Sequence, residues 1–149
     1  TKHGPTPLIV GIDEPAYGAF LNWMYFSDAT LTFPQTLVLR YSQLEPEERR
    51  NPQVAADYTK WFLGRLRAVE AATAKAETLV AGRFTAADIV IGYALRLAEN
   101  IAIPIPNNTS ELLALAFSPL GFVIVLMLTG VFRLSRIFLS MKFTTVISP

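Results

Sequence analysis

The chain has 149 residues, a length that suits one domain with a modest core. It holds no cysteine, which excludes disulfides, a thiolate metal site and a cysteine nucleophile, and suits a reducing cytosol. A formal net charge of +1 gives no basis for nucleic-acid binding, and the sole histidine, His3, lies in a terminal leader, so a Ser-His-Asp enzyme is excluded.

Hydrophobic residues make up 52% of the chain and charged ones only 17%, low against the usual quarter. The imbalance is local. Residues 1–111 hold all 12 acidic groups and 10 of the 13 basic ones, whereas 112–149 hold Arg133, Arg136 and Lys142 with no acidic partner. A domain of ordinary polarity is joined to a segment of different character. No P-loop, dinucleotide fingerprint or zinc-ligand spacing occurs.

Residues 1–12 read as a linker, punctuated by Gly4, Pro5, Pro7 and Gly11, with no signal-peptide pattern. Asp13-Glu14-Pro15 predicts a helix start: a capping Asp, an acidic first turn and a proline where its missing N–H does no harm. Phe20, Trp23, Met24, Ser27 and Leu31 then recur at three- and four-residue steps along one face. Pro34 is expected to end or kink this helix near Thr32, with a short second piece from about Gln35 to Ser42. Leu44 to Asn51 is a charged, solvated loop. Asn51-Pro52 opens a second helix with Val54, Tyr58, Trp61, Phe62, Leu66 and Val69 as its apolar face, and Arg65 and Arg67 off that stripe.

Gly82-Arg83 closes the next connection, and Thr85-Ala86-Ala87-Asp88 has the spacing of a capping box. Phe84 before the cap and Ile89 after the box are placed to form a hydrophobic staple. The third helix, Ala86 to about Glu99, is apolar nearly all round and therefore expected to be buried. Gly92 within it points to close packing of a neighbour.

Placed after two such helices, the run G-R-F-T-A-A-D-I-V-I-G resembles the cap-and-staple segment of the glutathione S-transferase C-terminal domain, where it opens the buried central helix of an all-helical bundle. The resemblance covers about residues 4–100. It implies an all-α domain over 13–100 behind the linker 1–12, with 101–149 as an atypical hydrophobic tail. It also implies an N-terminal thioredoxin-like domain as partner. No βαβ pattern precedes the linker, so that half is missing from this chain, which reads as a piece of a longer protein.

What the resemblance implies for function follows from that division. The family conjugates glutathione, as co-substrate, to small hydrophobic electrophiles, usually as a cytoplasmic homodimer. Its thiolate-stabilising group and most of its glutathione site lie in the thioredoxin-like half, so no catalytic residue carries over and this chain alone is expected to be inactive. The first long helix lines the electrophile pocket, which makes Trp23, Phe26, Ser27, Thr30 and Leu31 the substrate-site candidates. Trp23 and Leu31 equally suit plain core packing. Ser27 and Thr30 are more discriminating, because polar groups on such a face need water or a ligand as partner. Phe84, Thr85, Asp88 and Ile89 read as a structural cap and staple, and no metal site is expected. An interaction module without catalysis is the alternative, since similar helical domains serve as assembly elements.

Beyond Asn100 the chain leaves the family pattern. Residues 112–132 carry no charge over a length that can cross a bilayer, though Pro119, Gly121 and Gly130 interrupt them. Three readings stay open: a membrane anchor that would make the protein membrane-associated, a divergent buried hairpin completing the bundle, or translation out of frame.

Overall fold

The structure, a computed structural model, describes Gly4, residues 6–106 and Thr109. Every described element is helical. Four α-helices, α1 (Tyr17–Tyr25), α2 (Phe33–Leu39), α3 (Pro52–Thr73) and α4 (Ala86–Asn100), are accompanied by π-helical segments at Phe26–Thr32 and Arg40–Leu44 and a 3₁₀ turn at Glu47–Arg49. The run 112–132 and His3 lie outside the described residues. Among the described residues no helix is long and apolar enough to cross a membrane.

The first helix departs from expectation at both ends. Asp13 caps nothing. Hydrogen-bonded turns carry the chain from Gly11 to Tyr17, and α1 starts behind Ala16 without a side-chain cap. Glu14 has been drawn away by a distant partner, Arg83. Nor does Pro34 end the helix, since helical backbone runs on from Tyr17 to Leu44. A proline ring inside an α-helix strikes the carbonyl one turn back. Here the turn ahead of it is π-wound, with the Phe33 N–H reaching back to the Asp28 carbonyl, so the wider turn makes room for the ring.

The second predicted helix opens as expected at α3, where the Asn51 side chain accepts from the Val54 N–H at 3.1 Å with Pro52 behind it. Its buried stripe is Ala55, Phe62, Leu66 and Val69, and Tyr58 packs against the core from its edge. Trp61, expected on that stripe, is 55% exposed. At three- and four-residue spacing it falls one position off the face that packs on the first long helix.

Two clusters hold the bundle. The larger joins Leu31, Val38, Phe62, Leu66, Ile91, Leu95 and neighbours from the first long helix, α3 and α4. The smaller joins Val10 of the expected linker to Phe20, Val80 and Ala87. Residues 6–11 are thus docked. The Leu8 carbonyl accepts from the Ala86 N–H at 2.8 Å, which satisfies one of the free donors at the start of α4. Residues Ala87, Ile91, Gly92, Ala94, Leu95 and Ala98 of α4 are buried, while Tyr93 is exposed.

α4 ends at Asn100, within a residue of the expected Glu99, and the chain beyond it stays packed. The Ile103 N–H bonds the Ala98 carbonyl at 2.9 Å and the Ala102 N–H bonds that of Glu99 at 3.0 Å, the paired bonds of a Schellman cap. Ala102 takes the left-handed position at φ 60°, where glycine is usual. Ile103 then drops into the larger cluster, with Ile101 and Ile105 packed on it. The chain just beyond Asn100 therefore belongs to the core.

Candidate functional site

The best-built polar constellation lies at the start of α4. Both halves of the Thr85–Asp88 capping box are present, and both side chains are fully buried. One carboxylate oxygen of Asp88 accepts from the Thr85 N–H at 2.8 Å and from the Thr85 hydroxyl at 3.0 Å. The other accepts from the Leu79 N–H at 2.8 Å. Asp88 thus caps its helix and also pins the loop that precedes it. That loop turns through two left-handed residues, Ala81 at φ 59° and Gly82 at φ 62°. Phe84 and Ile89, on either side of the box, are each half-buried.

Beside the cap, Arg83 ties the incoming segment down. Its guanidinium meets both oxygens of Glu14, at 2.8 and 2.9 Å, and donates to the carbonyls of Pro7 and Ile9. The Arg83 hydrogen bond, then the bond that the same carboxylate accepts from the Gly11 N–H, hold Glu14 below the ordinary glutamate pKa. Arg40, aided by Arg49, does the same to Glu45.

The five substrate-site candidates are brought to one segment but divide by environment. Leu31 is fully buried in the larger cluster. Ser27 is buried as well, and its hydroxyl donates to the Val90 carbonyl of α4 at 2.7 Å, so its partner is backbone rather than water or a ligand. Trp23 and Phe26 are half-buried and meet edge to face, ring centroids 5.5 Å apart, packed on the core. Thr30 is half-buried. None of the five lines the hollow on the outer side of the π segment, which Asp28, Ala29, Thr32, Phe33 and Thr36 enclose.

One buried polar residue has no counterpart among the expectations. Gln35 is fully buried in α2, and its amide nitrogen bridges the carbonyls of Leu31 at 3.1 Å and Ala94 at 3.0 Å. Its amide oxygen has no hydrogen-bond partner among the described residues. Ser27 and Gln35 together stitch the first long helix to α4 through backbone carbonyls. Their only sequence signal is a polar residue at core spacing. Among the described residues no group of His, Cys, Asp or Glu is placed to hold a metal ion.

No protein-family profile matches the chain, and no curated protein matches it. Solved structures do. It superposes on Ure2p5 from Phanerochaete chrysosporium, cocrystallized with 1-(S-glutathionyl)-2,4-dinitrobenzene, with a TM-score of 0.67 and 20% identity over 80% of this chain and 59% of that one. The glutathione transferase URE2P8 of the same organism, with oxidized glutathione, gives 0.65 and 15% over 76% and 53%. A glutathione S-transferase domain-containing protein from Marinobacter aquaeolei gives 0.61 and 21% over 78% and 60%. The chain thus spans little more than half the length of these proteins. At these identities the likeness concerns the fold: the chain has the all-α fold of the glutathione S-transferase C-terminal domain.

Proposed function

We propose that the chain is the hydrophobic-substrate and dimer domain of a cytoplasmic glutathione S-transferase, whose full-length form conjugates glutathione to small apolar electrophiles. The observation that carries this reading is the fold likeness to transferases crystallised with glutathione species. In one of them the ligand is glutathione joined through sulfur to a dinitrophenyl ring, an apolar group of the class proposed here. A thioredoxin-like half supplies the glutathione site and the thiolate-activating group, so this chain alone does not turn over. Trp23, Phe26 and Thr30, half-buried on the first long helix, contact the electrophile, while Ser27 and Leu31 support them from the core side. Phe84 and Ile89 act as the staple that sets the entry angle into α4.

A non-catalytic interaction module, with residues 112–132 as a membrane attachment, is the second reading. It is favoured by the large exposed aromatics Tyr25, Phe33, Trp61 and Tyr93. The full-length protein separates the two. A transferase is retained on glutathione resin and forms 1-(S-glutathionyl)-2,4-dinitrobenzene from glutathione and a dinitrohalobenzene. Its Trp23→Ala variant raises the KM for the aromatic substrate and leaves that for glutathione unchanged. A folded full-length protein that neither binds the resin nor forms the conjugate is an interaction module.

A further inference from the structure

We propose that the outer face of α3 is a docking surface for an acidic, extended segment of a partner protein. Apart from Lys75, just past the end of α3, the described cations elsewhere on the surface are spoken for. Arg40, Arg49, Arg83 and Arg96 each pair with a glutamate, and Arg50 bonds the carbonyls of Gln43 and Glu45. On α3, by contrast, Lys60, Arg65 and Arg67 are exposed with no carboxylate partner among the described residues. Arg65 instead stands over the ring of Trp61, 5.8 Å from its centroid, and Tyr58 stacks beside Trp61 at 6.0 Å with the rings 18° from parallel. A 55% exposed tryptophan held between a tyrosine and an arginine is a rigid, amphipathic contact of the kind that anchors interfaces.

Next to this ladder lies a hollow of about 480 Å³. Lys60, Leu63, Gly64, Arg67 and Glu70 of α3 line it, together with Pro104 and Pro106. A side chain at Gly64 would meet nothing within 4 Å among the described residues, which leaves room there for an approaching backbone. Seven residues of α-helix set the two cations about 10 Å apart along the axis. In a polyproline-type strand, carboxylates three residues apart lie on one side about 9 Å apart. A Glu-x-x-Glu segment therefore matches the two cations, and the apolar residues between its carboxylates meet Leu63 and the two prolines.

Charge distribution selects this occupant over a nucleic acid. Glu70 borders the hollow and Asp57 lies one turn before Trp61. Both carboxylates would repel a phosphate backbone, which carries a charge at every nucleotide, more than a peptide that carries only two. The proposal stands apart from the conjugation reading, because none of these residues is a substrate-site candidate.

The test is a titration of the isotope-labelled full chain with a short capped peptide centred on Glu-Pro-Leu-Glu, read by amide and indole NMR shifts. Saturable shifts confined to residues 58–70 and the Trp61 indole are expected. Affinity should fall at least about tenfold in a Lys60→Glu, Arg67→Glu double variant and again on raising salt from about 50 to 300 mM. The double variant changes exposed side chains only, and a Gln-Pro-Leu-Gln peptide on the unaltered chain gives the same comparison without any substitution. Absence of saturable shifts at millimolar peptide overturns the proposal. So does equal binding of the glutamine peptide, or tighter binding of this face to a single-stranded oligonucleotide or to phosphatidylserine vesicles.

Discussion

Substituting Asp88 with alanine tests the account of how α4 begins. A lost helix cap costs about 0.5–2 kcal/mol in an ordinary setting. The structure raises that figure, because the Asp88 carboxylate also holds the Leu79 N–H, and its bonds to Thr85 are buried while the one from Leu79 is partly so. In the variant the N–H groups of Leu79 and Thr85 lose their acceptor, at about 1–3 kcal/mol for each buried donor left unsatisfied. The Thr85 hydroxyl can rotate and adds little. Asp88→Ala is therefore expected to destabilise by about 2–6 kcal/mol, seen as a fall in Tm of at least about 8 °C for a domain of this size. Asp88→Asn keeps one acceptor oxygen and turns an amide N–H toward the other donor, so it should lose about half as much. Chemical denaturation of the three proteins, with hydrogen exchange at the Leu79 and Thr85 amides, gives the comparison. An alanine variant within about 0.5 kcal/mol of the parent, with both amides still protected, would refute the reasoning.

Three further outcomes follow from the same structure. Ala102→Gly should stabilise the chain by about 0.5–1 kcal/mol in a denaturant melt, because glycine meets no steric penalty at φ 60° where alanine does. The Glu14–Arg83 pair should stabilise most above the ordinary glutamate range, since its folded-state pKa is lowered. That contribution is lost as pH falls through the lowered value, so the stability gap between the parent and Glu14→Gln should shrink in a pH series run below about 4.3. Gln35→Met should change stability by less than about 1 kcal/mol, because the lost amide bonds are offset by removal of a buried oxygen that has no partner. A large loss would show that the oxygen is bonded in solution.

The parts of the fold legible in the sequence are those fixed by neighbours within one turn. Asn51-Pro52 and the Thr85–Asp88 spacing each specify a helix start through bonds spanning three residues, and both appear where expected. Asp13-Glu14-Pro15 carries an equally good local signal, yet it loses to Arg83, 69 residues away, which takes the carboxylate that would have charged the first turn. The end of α4 falls within a residue of the expected Glu99, but the packing beyond it is hidden for a different reason. The left-handed position that closes it is filled by Ala102 instead of glycine, so the usual mark of a helix stop is absent and the burial of Ile103 goes unannounced. Trp61 was misplaced because three- and four-residue steps define a stripe wide enough to include positions at its edge, and only the neighbours decide which edge is covered.

The substrate face shows the same limit in a form that bears on function. Periodicity puts Ser27 on the inner side of the first long helix, and a hydroxyl there needs a partner. From sequence alone that partner could be a ligand. In the structure it is the Val90 carbonyl, 63 residues on, and the Ala94 carbonyl one turn later serves Gln35 in the same way. Both carbonyls belong to a helix whose small buried residues, Gly92, Ala94 and Ala98, leave its backbone within reach of a neighbour's side chains. A polar residue at core spacing opposite such a helix therefore reads first as a stitch between helices. Of the two polar candidates on this face, Ser27 spends its donor on the Val90 carbonyl, whereas Thr30 is half-buried and makes no side-chain hydrogen bond within the described residues.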